Sequence, residues 1–557
     1  MKRVISHRLN RNYLFFLALS LTVVLPSTIP VLSPNLIWAD TQPSFLYPIQ
    51  DDAFHYYTRI KAILSGNFMI NNPYFYGTSP GGGYTFIGEY WVAFLSVITG
   101  SIKFGYFLQV IFFTSLIFYT MEQVLKLYIK RSLFWTFVFV NASFLLFPIW
   151  YLRPVAPSTA IILFLIVLMS SMKLLHNSGR IFYWYLNTFC IILLWFTQPV
   201  VAIIATVSWV YTVFIILKFF KIRHFKKIGL LLVSLVFSPI FWYLTVNYPY
   251  HSLKQETATR TGLIDSRMPG GLKELIISFI VILLFLALSW KLKIKDVRFI
   301  HLSLFLSFAN LGGNHQILSG KHAFNSAYSR PIIYLICILL AIIILGNLIR
   351  NFQISKTMIS MIAITILISS FLHTYSEISD LQNDKPDSLI IDISYLSGLN
   401  NLNRLKSENV IAAPVSISSL LPFYTNSKSL YAKEGSILYP VSDNEVLERA
   451  LLNRFILNEL NLSKEDVEWM FDGYFNNIRM RYYWDRNNQQ DLIQFRINYL
   501  YQKAMFIKKE ISSNPGHFLQ KYSVSGVIYF SGQEINNRDS CKSLTKGDIY
   551  SFCEFRV

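Results

Sequence analysis

The stretch from Pro199 to Leu217 reads PVVAIIATVSWVYTVFIIL and carries no charged side chain. A transmembrane helix needs about 20 predominantly apolar residues, so this run is long enough to cross a bilayer. Similar runs lie on both sides of it, near 12–32, 104–125, 132–150, 155–172, 182–197, 228–245, 274–290, 299–312, 331–348 and 357–374, making about eleven spans in all. A further apolar stretch at 84–100 is either embedded or crossing. Hydrophobic types make up 53% of the chain and charged types only 15%, with mean hydropathy +0.41. A water-facing surface could not accommodate that excess, so a bilayer is the expected solvent. Near residue 375 the pattern changes, and 376–557 is charged, Asn-rich and ordinary in hydropathy. The expected architecture is an α-helical polytopic membrane domain over 1–375, followed by a soluble α/β domain over 376–557.

Lys and Arg set the expected orientation. With a cytoplasmic N-terminus, the inner segments 1–11, 126–131, 173–180, 218–227, 291–298 and 349–356 hold 20 basic residues in 51 positions. The outer segments 33–103, 151–157, 197–200, 246–273 and 312–330 hold 10 in 129. Inner loops of polytopic proteins are the richer in positive charge, so the N-terminus is placed inside and an odd number of crossings puts 376–557 outside. Much of the net charge of +19 is then a topology signal. Because it is scattered over short loops, a nucleic-acid partner is not expected. The basic, then apolar, N-terminus is read as an uncleaved anchor rather than a removed signal.

The outer domain shows strand-like runs at Val410–Ala413 and Val527–Phe530, with Leu430–Tyr431 in a further one. Helical patterns cover Asp443–Leu460 and Ser463–Phe471. It has no Gly-rich phosphate cradle, no paired CxxC and no His–carboxylate metal spacing. Cys541 and Cys553 share this domain and are expected to form a disulfide in an oxidising compartment. Cys190 and Cys337 fall inside apolar spans, where Cys behaves as a small hydrophobe.

The chemistry is sought in the longest outer loop, 33–103. It contains Gln50-Asp51-Asp52-Ala53-Phe54-His55-Tyr56-Tyr57-Thr58-Arg59, read as a helix from Asp52 lying at the membrane surface. Asp52, His55, Tyr56 and Arg59 share one face; Phe54, Tyr57 and Ile60 lean to another. Paired acids at such a place can act as general base or hold a divalent cation. Asp is also a common helix cap, which accounts for one acid but not for two beside a polar face. Tyr74, Phe75, Tyr76, Gly77 and Gly81–Gly83 suggest an aromatic loop able to close over a substrate, or an interfacial aromatic belt.

An acid motif opening a surface helix in the first external loop of a protein with about eleven spans resembles the GT-C membrane glycosyltransferases. These include protein O-mannosyltransferases, lipid A aminoarabinose transferases and oligosaccharyltransferase catalytic subunits. The segment Tyr151-Leu152-Arg153-Pro154-Val155-Ala156-Pro157 looks like the Arg-Pro-x-x-Pro turn of bacterial members. Asn314-His315-Gln316-Ile317-Leu318-Ser319-Gly320-Lys321, followed by Tyr328 and Arg330, resembles another of their external loops, although Ala327 stands where members often carry His. The resemblance implies Asp51 and Asp52 as catalytic base or as ligands of a magnesium or manganese ion. The substrate-binding candidates are His55, Tyr56, Arg59, Arg153, Arg260, Arg267, His315, Gln316, Lys321 and Arg330, since guanidinium groups hold phosphate bidentately. A second acid, found in the second external loop of several members, has no counterpart there; Glu89, Glu256 and Asp265 are the alternatives.

The activity so implied is transfer of a hexosyl or pentosyl group from a polyprenyl-phosphate donor to a glycan, lipid or protein acceptor. It would occur at the outer face of a bacterial cytoplasmic membrane, in cell-envelope glycan biosynthesis. Two rivals are a polymerase or ligase of lipid-linked glycans, which usually lacks a leading acid pair, and a non-enzymatic lipid-linked glycan transporter or scaffold. A transporter would favour ionisable groups deep within its spans, and Glu122 near an inner end is among the few present.

Overall fold

The computed structural model describes residues 11–28, 53–68, 72–75, 87–146, 156–176, 180–219, 229, 235–240, 256, 264–265, 272–291, 297–314, 321–322, 326–349, 356–383, 387–401, 409–437, 439, 441–471, 475, 478, 485–536 and 538–555. Helix dominates the first part of the chain: α1 (Arg11–Val24), α2 (Ala53–Leu64), α3 (Ile87–Thr99), α4 (Ile102–Leu125), α5 (Ser132–Leu146), α6 (Ala156–His176) and α7 (Ile181–Trp195). There follow α8 (Pro199–Phe219), α9 (Leu272–Lys291), α10 (Val297–Gly313), α11 (Ser326–Leu348) and α12 (Lys356–Asn383). Among the described residues, four helical stretches are long and apolar enough to cross a membrane: Ile102–Leu125, Ser158–His176, Pro199–Lys218 and Pro331–Leu348. The shorter apolar helices include Asn12–Val24, Ile87–Thr99, Ser132–Leu146 and Ile181–Trp195. The fold is that of a helical membrane protein with a small C-terminal sheet.

Side-chain direction separates lipid from core. Along α4, Phe104, Leu108, Phe112 and Tyr119 are exposed, while Tyr106, Val110, Phe113 and Ile117 are buried. An apolar stripe of that size would be a liability in water and is ordinary against acyl chains. Where no hydrophobic force pulls helices together, close approach and buried hydrogen bonds do so. A Cβ at Gly105 would sit 2.5 Å from Ser96 Oγ, so α3 and α4 pack backbone to backbone. Gln109 Nε2 donates to Ser158 Oγ at 3.3 Å, joining α4 to α6. Asn187 accepts from Ser170 Oγ at 2.7 Å and donates to Ser171 Oγ at 3.3 Å, joining α7 to α6.

The two ends of the bundle differ. At one end Ser132 Oγ and Lys126 Nζ each lie 3.2 Å from Glu122 Oε1, Lys173 Nζ donates to Gln123 Oε1 at 3.1 Å, and Asn347 Nδ2 approaches Tyr128 O. At the other end Ile87 N donates to Phe196 O, and the strands β1 (Ile264–Asp265) and β2 (Lys321–His322) pair antiparallel. The C-terminal domain joins this second end. Glu256 Oε2 accepts from Asp443 N at 2.7 Å, and Ser429 N donates to Tyr74 O at 2.8 Å.

That domain opens with α13 (Asp387–Asn401) and is built on β3 (Val410–Ala412), β4 (Lys428–Ser429), β5 (Val524–Phe530), β6 (Cys541–Lys546) and β7 (Tyr550–Phe555), in the order β4-β3-β5-β7-β6. β3 runs parallel to β4 and β5, whereas β7 is antiparallel to β5 and β6. Period-two alternation divides the sheet cleanly. Ile411, Ala413, Ile528, Tyr550 and Phe552 belong to the same core as the helical bundle. Val410, Ala412, Val527, Cys553 and Phe555 face the opposite way. They meet α14 (Asp443–Ile456), α15 (Lys464–Met470), α16 (Arg486–Ser513) and α17 (Pro515–Lys521).

The expected strands are present with shifted bounds, and the third lies at Lys428–Ser429 instead of Leu430–Tyr431. The helix expected over 443–460 stops at Ile456 because Asn458 takes φ +57°, a left-handed residue that ends helices. Ser463 and Asp466 form a reciprocal capping box at the start of α15.

Cys541 and Cys553 form a disulfide with Cα atoms 5.5 Å apart. Closing a loop of this length is worth about 3 kcal/mol at most. Intact-mass analysis after alkylation in denaturant without reductant should show two labelled thiols, those of Cys190 and Cys337. Four labels at that step would refute the pairing.

Candidate functional site

Helix α2 begins at Ala53, so Asp51 and Asp52 directly precede it in the chain. The acid pair itself lies outside the described residues, as do Arg153, Arg260, Arg267, His315 and Gln316. Lys321 is placed by its backbone, opposite Asp265 in the β1–β2 ladder, so the loops 246–273 and 312–330 meet. Arg330 lies near the start of α11, its side chain outside the described residues.

The remaining candidates are brought together. A helix lying at a membrane surface with one polar face was expected. Instead His55, Tyr56, Tyr57, Thr58, Arg59 and Ile60 are all buried. The cause is a second protein layer: α2 packs on α3 along one side and on the turn Leu421–Tyr424 of the C-terminal domain along another. Tyr57 meets the Phe423 ring at 5.8 Å. Lys61 Nζ donates to Phe423 O and Thr425 O, both at 2.6 Å. Burial, with the Lys428 charge nearby, lowers the Lys61 ammonium to about 8.

Around His55 the surroundings are aromatic and polar. Its ring stacks on Tyr74 at 6.2 Å and 10°, and meets Tyr56 at 5.5 Å and Tyr439 edge-on at 5.9 Å. Burial first, then the Arg59 charge, holds the imidazole well below its ordinary 6.5, so it is neutral at physiological pH. Its Nδ1 is buried with no hydrogen-bond partner among the described residues. Arg59 Nε lies 3.2 Å from Glu89 Oε1, and both side chains are almost wholly buried. Glu89 Oε2 has no hydrogen-bond partner among the described residues. Of the three alternative second acids, Glu89 lies beside α2 and Glu256 serves the N-terminus of α14, while the Asp265 side chain is outside the described residues.

A neutral imidazole, an ion pair and several tyrosines in a water-poor setting can hydrogen-bond hydroxyls and stack against a ring. Among the described residues no three His, Cys, Asp or Glu side chains gather as a metal site. The carboxylates expected to hold magnesium or manganese, Asp51 and Asp52, are outside that set. Tyr439 was missed from sequence because it comes from the C-terminal domain, far along the chain, with no motif to flag it. No protein-family model matches the sequence, and no curated protein sequence matches it.

Two outcomes follow from these burials. Glu89→Ala leaves a buried guanidinium without its carboxylate and should cost about 3–5 kcal/mol, whereas the paired Arg59→Met/Glu89→Leu change should cost far less. Denaturant unfolding of the purified protein reads both. His55 has a depressed pKa in the fold, so below about 6.5 the unfolded chain binds a proton that the folded chain does not. As the pH drops below about 6.5, stability should therefore decrease by up to about 1.4 kcal/mol per unit, and His55→Phe should remove that component from the melting-temperature profile.

Proposed function

We propose that this chain is a GT-C-type glycosyltransferase that moves a sugar from a polyprenyl-phosphate donor to an acceptor hydroxyl at the outer face of the membrane. The observation that carries the reading is the burial of α2, which Asp51-Asp52 precede in the chain, with a neutral His55 and the Arg59–Glu89 pair, between bundle and C-terminal domain. A buried ion pair is expensive to maintain, and a purely adhesive contact would be met more cheaply by apolar side chains. About eleven crossings, a cytoplasmic N-terminus and an outer C-terminal domain complete the proposal. The docking of residues 72–75 and Glu256 on that domain supports placing loops 33–103 and 246–273 on its side of the membrane.

In the proposed reaction Asp51, with Asp52, takes the proton of the acceptor hydroxyl as its oxygen attacks the anomeric carbon. The carbon–oxygen bond to the phosphate breaks, the configuration inverts, and polyprenyl phosphate leaves with the electron pair. The anionic leaving group is neutralised by fixed positive charge; Arg153, Arg260, Arg267, Lys321 and Arg330 are the proposed donors, with His315 and Gln316 beside them. His55, Tyr56 and Arg59 would bind sugar or acceptor. A magnesium or manganese ion, where used, would be held by Asp51 and Asp52.

Removing a general base costs roughly 10²–10⁴-fold in rate, whereas Asn caps a helix about as well as Asp. Asp51→Asn or Asp52→Asn should therefore abolish one sugar from the cell-envelope glycans, read by mass spectrometry at matched protein levels. Full retention of that sugar in both variants would sink the proposal.

A further inference from the structure

The C-terminal domain grips the first loop by contacts that the proposed chemistry does not use. Asn72 accepts from Tyr74 N at 3.0 Å and Phe75 N at 3.2 Å, forming a tight turn, and donates to Gly435 O at 3.0 Å. Tyr74 O extends the edge of the sheet beyond β4 by accepting from Ser429 N, and Lys428 Nζ donates to Pro73 O at 2.9 Å. Tyr74 and Phe75 are both almost fully buried in the C-terminal core, among Val410, Leu430, Leu447 and Val527. The approach is close enough to demand glycine: a Cβ on Gly435 would lie 2.7 Å from Tyr74 Cβ and 2.9 Å from Phe75 Cζ. The buried Arg449 guanidinium lies 4.6 Å from the Phe75 ring and 4.3 Å from that of Tyr522, a desolvated cation–π arrangement.

The same grip reaches α2 by two routes. One is direct, through Lys61 on the Phe423 and Thr425 carbonyls. The other runs through the Tyr74 ring stacked on His55. Contacts at two points along a short helix restrict its movement, and reacting groups tolerate misplacement of only about half an ångström.

We propose that the C-terminal domain positions α2, the helix that the acid pair precedes in the chain, with Asn72, Phe75 and Lys61 as positioning residues that hold α2 through that domain. This rests on the reading of Asp51-Asp52 as the reacting pair. The opposite behaviour would be that of a lid, which must lift for each turnover and works as fast or faster when loosened.

The test uses full-length protein in lipid nanodiscs. Hydrogen exchange is followed over residues 53–64 in wild type, Phe75→Ala, Lys61→Met and Gly435→Val, with exchange over Val524–Phe530 as the folding control. Unglycosylated polyprenyl phosphate is titrated against each protein, and envelope-glycan transfer is measured for the same variants. Exchange over 53–64 should rise tenfold or more with the control segment unchanged. Transfer should fall at least tenfold while polyprenyl phosphate binds within twofold of wild type, a split that general unfolding would not produce. If Gly435→Val disturbs the control segment, Phe75→Ala and Lys61→Met decide, since both remove a contact without forcing new atoms into the C-terminal core. Unchanged exchange over 53–64 in those two variants overturns the proposal whatever the activity, as does raised exchange with undiminished transfer. Absence of transfer by the wild type would overturn the proposed function instead, and the exchange values would still show whether the domain holds the helix.

Discussion

A helix that buries six successive residues, His55 to Ile60, must have protein on every side. That requirement governs how the rest of the molecule is put together. A helix with a single covered stripe can rest on a bundle alone, its polar side in water. Here the second side carries Arg59 and His55, and removing them from water is costly unless they find partners or neutralise. Arg59 takes Glu89 as its carboxylate, and His55 stays uncharged. Both solutions depend on α3 below and the C-terminal domain above remaining in place, so the two layers are bound to one another by the cost of exposing this segment.

The sheet is shaped by the same circumstance. Its two faces are both buried, one against the helical side and one under α14 and α16, and its strands accordingly carry apolar residues in both directions. The edge next to β4 is occupied by the Tyr74 backbone. The opposite edge strand, β6, alternates partly buried and exposed residues and bears Lys542 and Lys546, charges that discourage pairing with another chain.

Much of the helical part was legible because a bilayer imposes one rule on every span. The runs at 104–125, 155–172, 199–217 and 331–348 coincide closely with the four long helices. Local chemistry was equally readable over Ser463–Phe471, where the expected helix forms as α15. Periodicity does not say what covers a face, so α2 read as a surface helix when its polar side is roofed by protein. Nor does spacing reveal the meeting of His55 with Tyr439, or of Glu256 with the start of α14, because those pairs are distant in sequence. Asn458 could have been read as a helix stop, but many Asn residues are not left-handed, and only the fold distinguishes them.

The insertion of Tyr74 and Phe75 into the C-terminal core has a consequence for biosynthesis. Lys428 and Pro73, which meet there, are 355 positions apart. At about 5–20 residues per second of translation, that separation corresponds to roughly 20–70 seconds. The loop must wait at least through that interval after leaving the ribosome, its two aromatic side chains uncovered, before β4 exists, and longer still for β5 and β7. The C-terminal domain is thus completed by a piece of an early loop, and its hydrophobic interior closes only once β5 and β7 have been delivered as well.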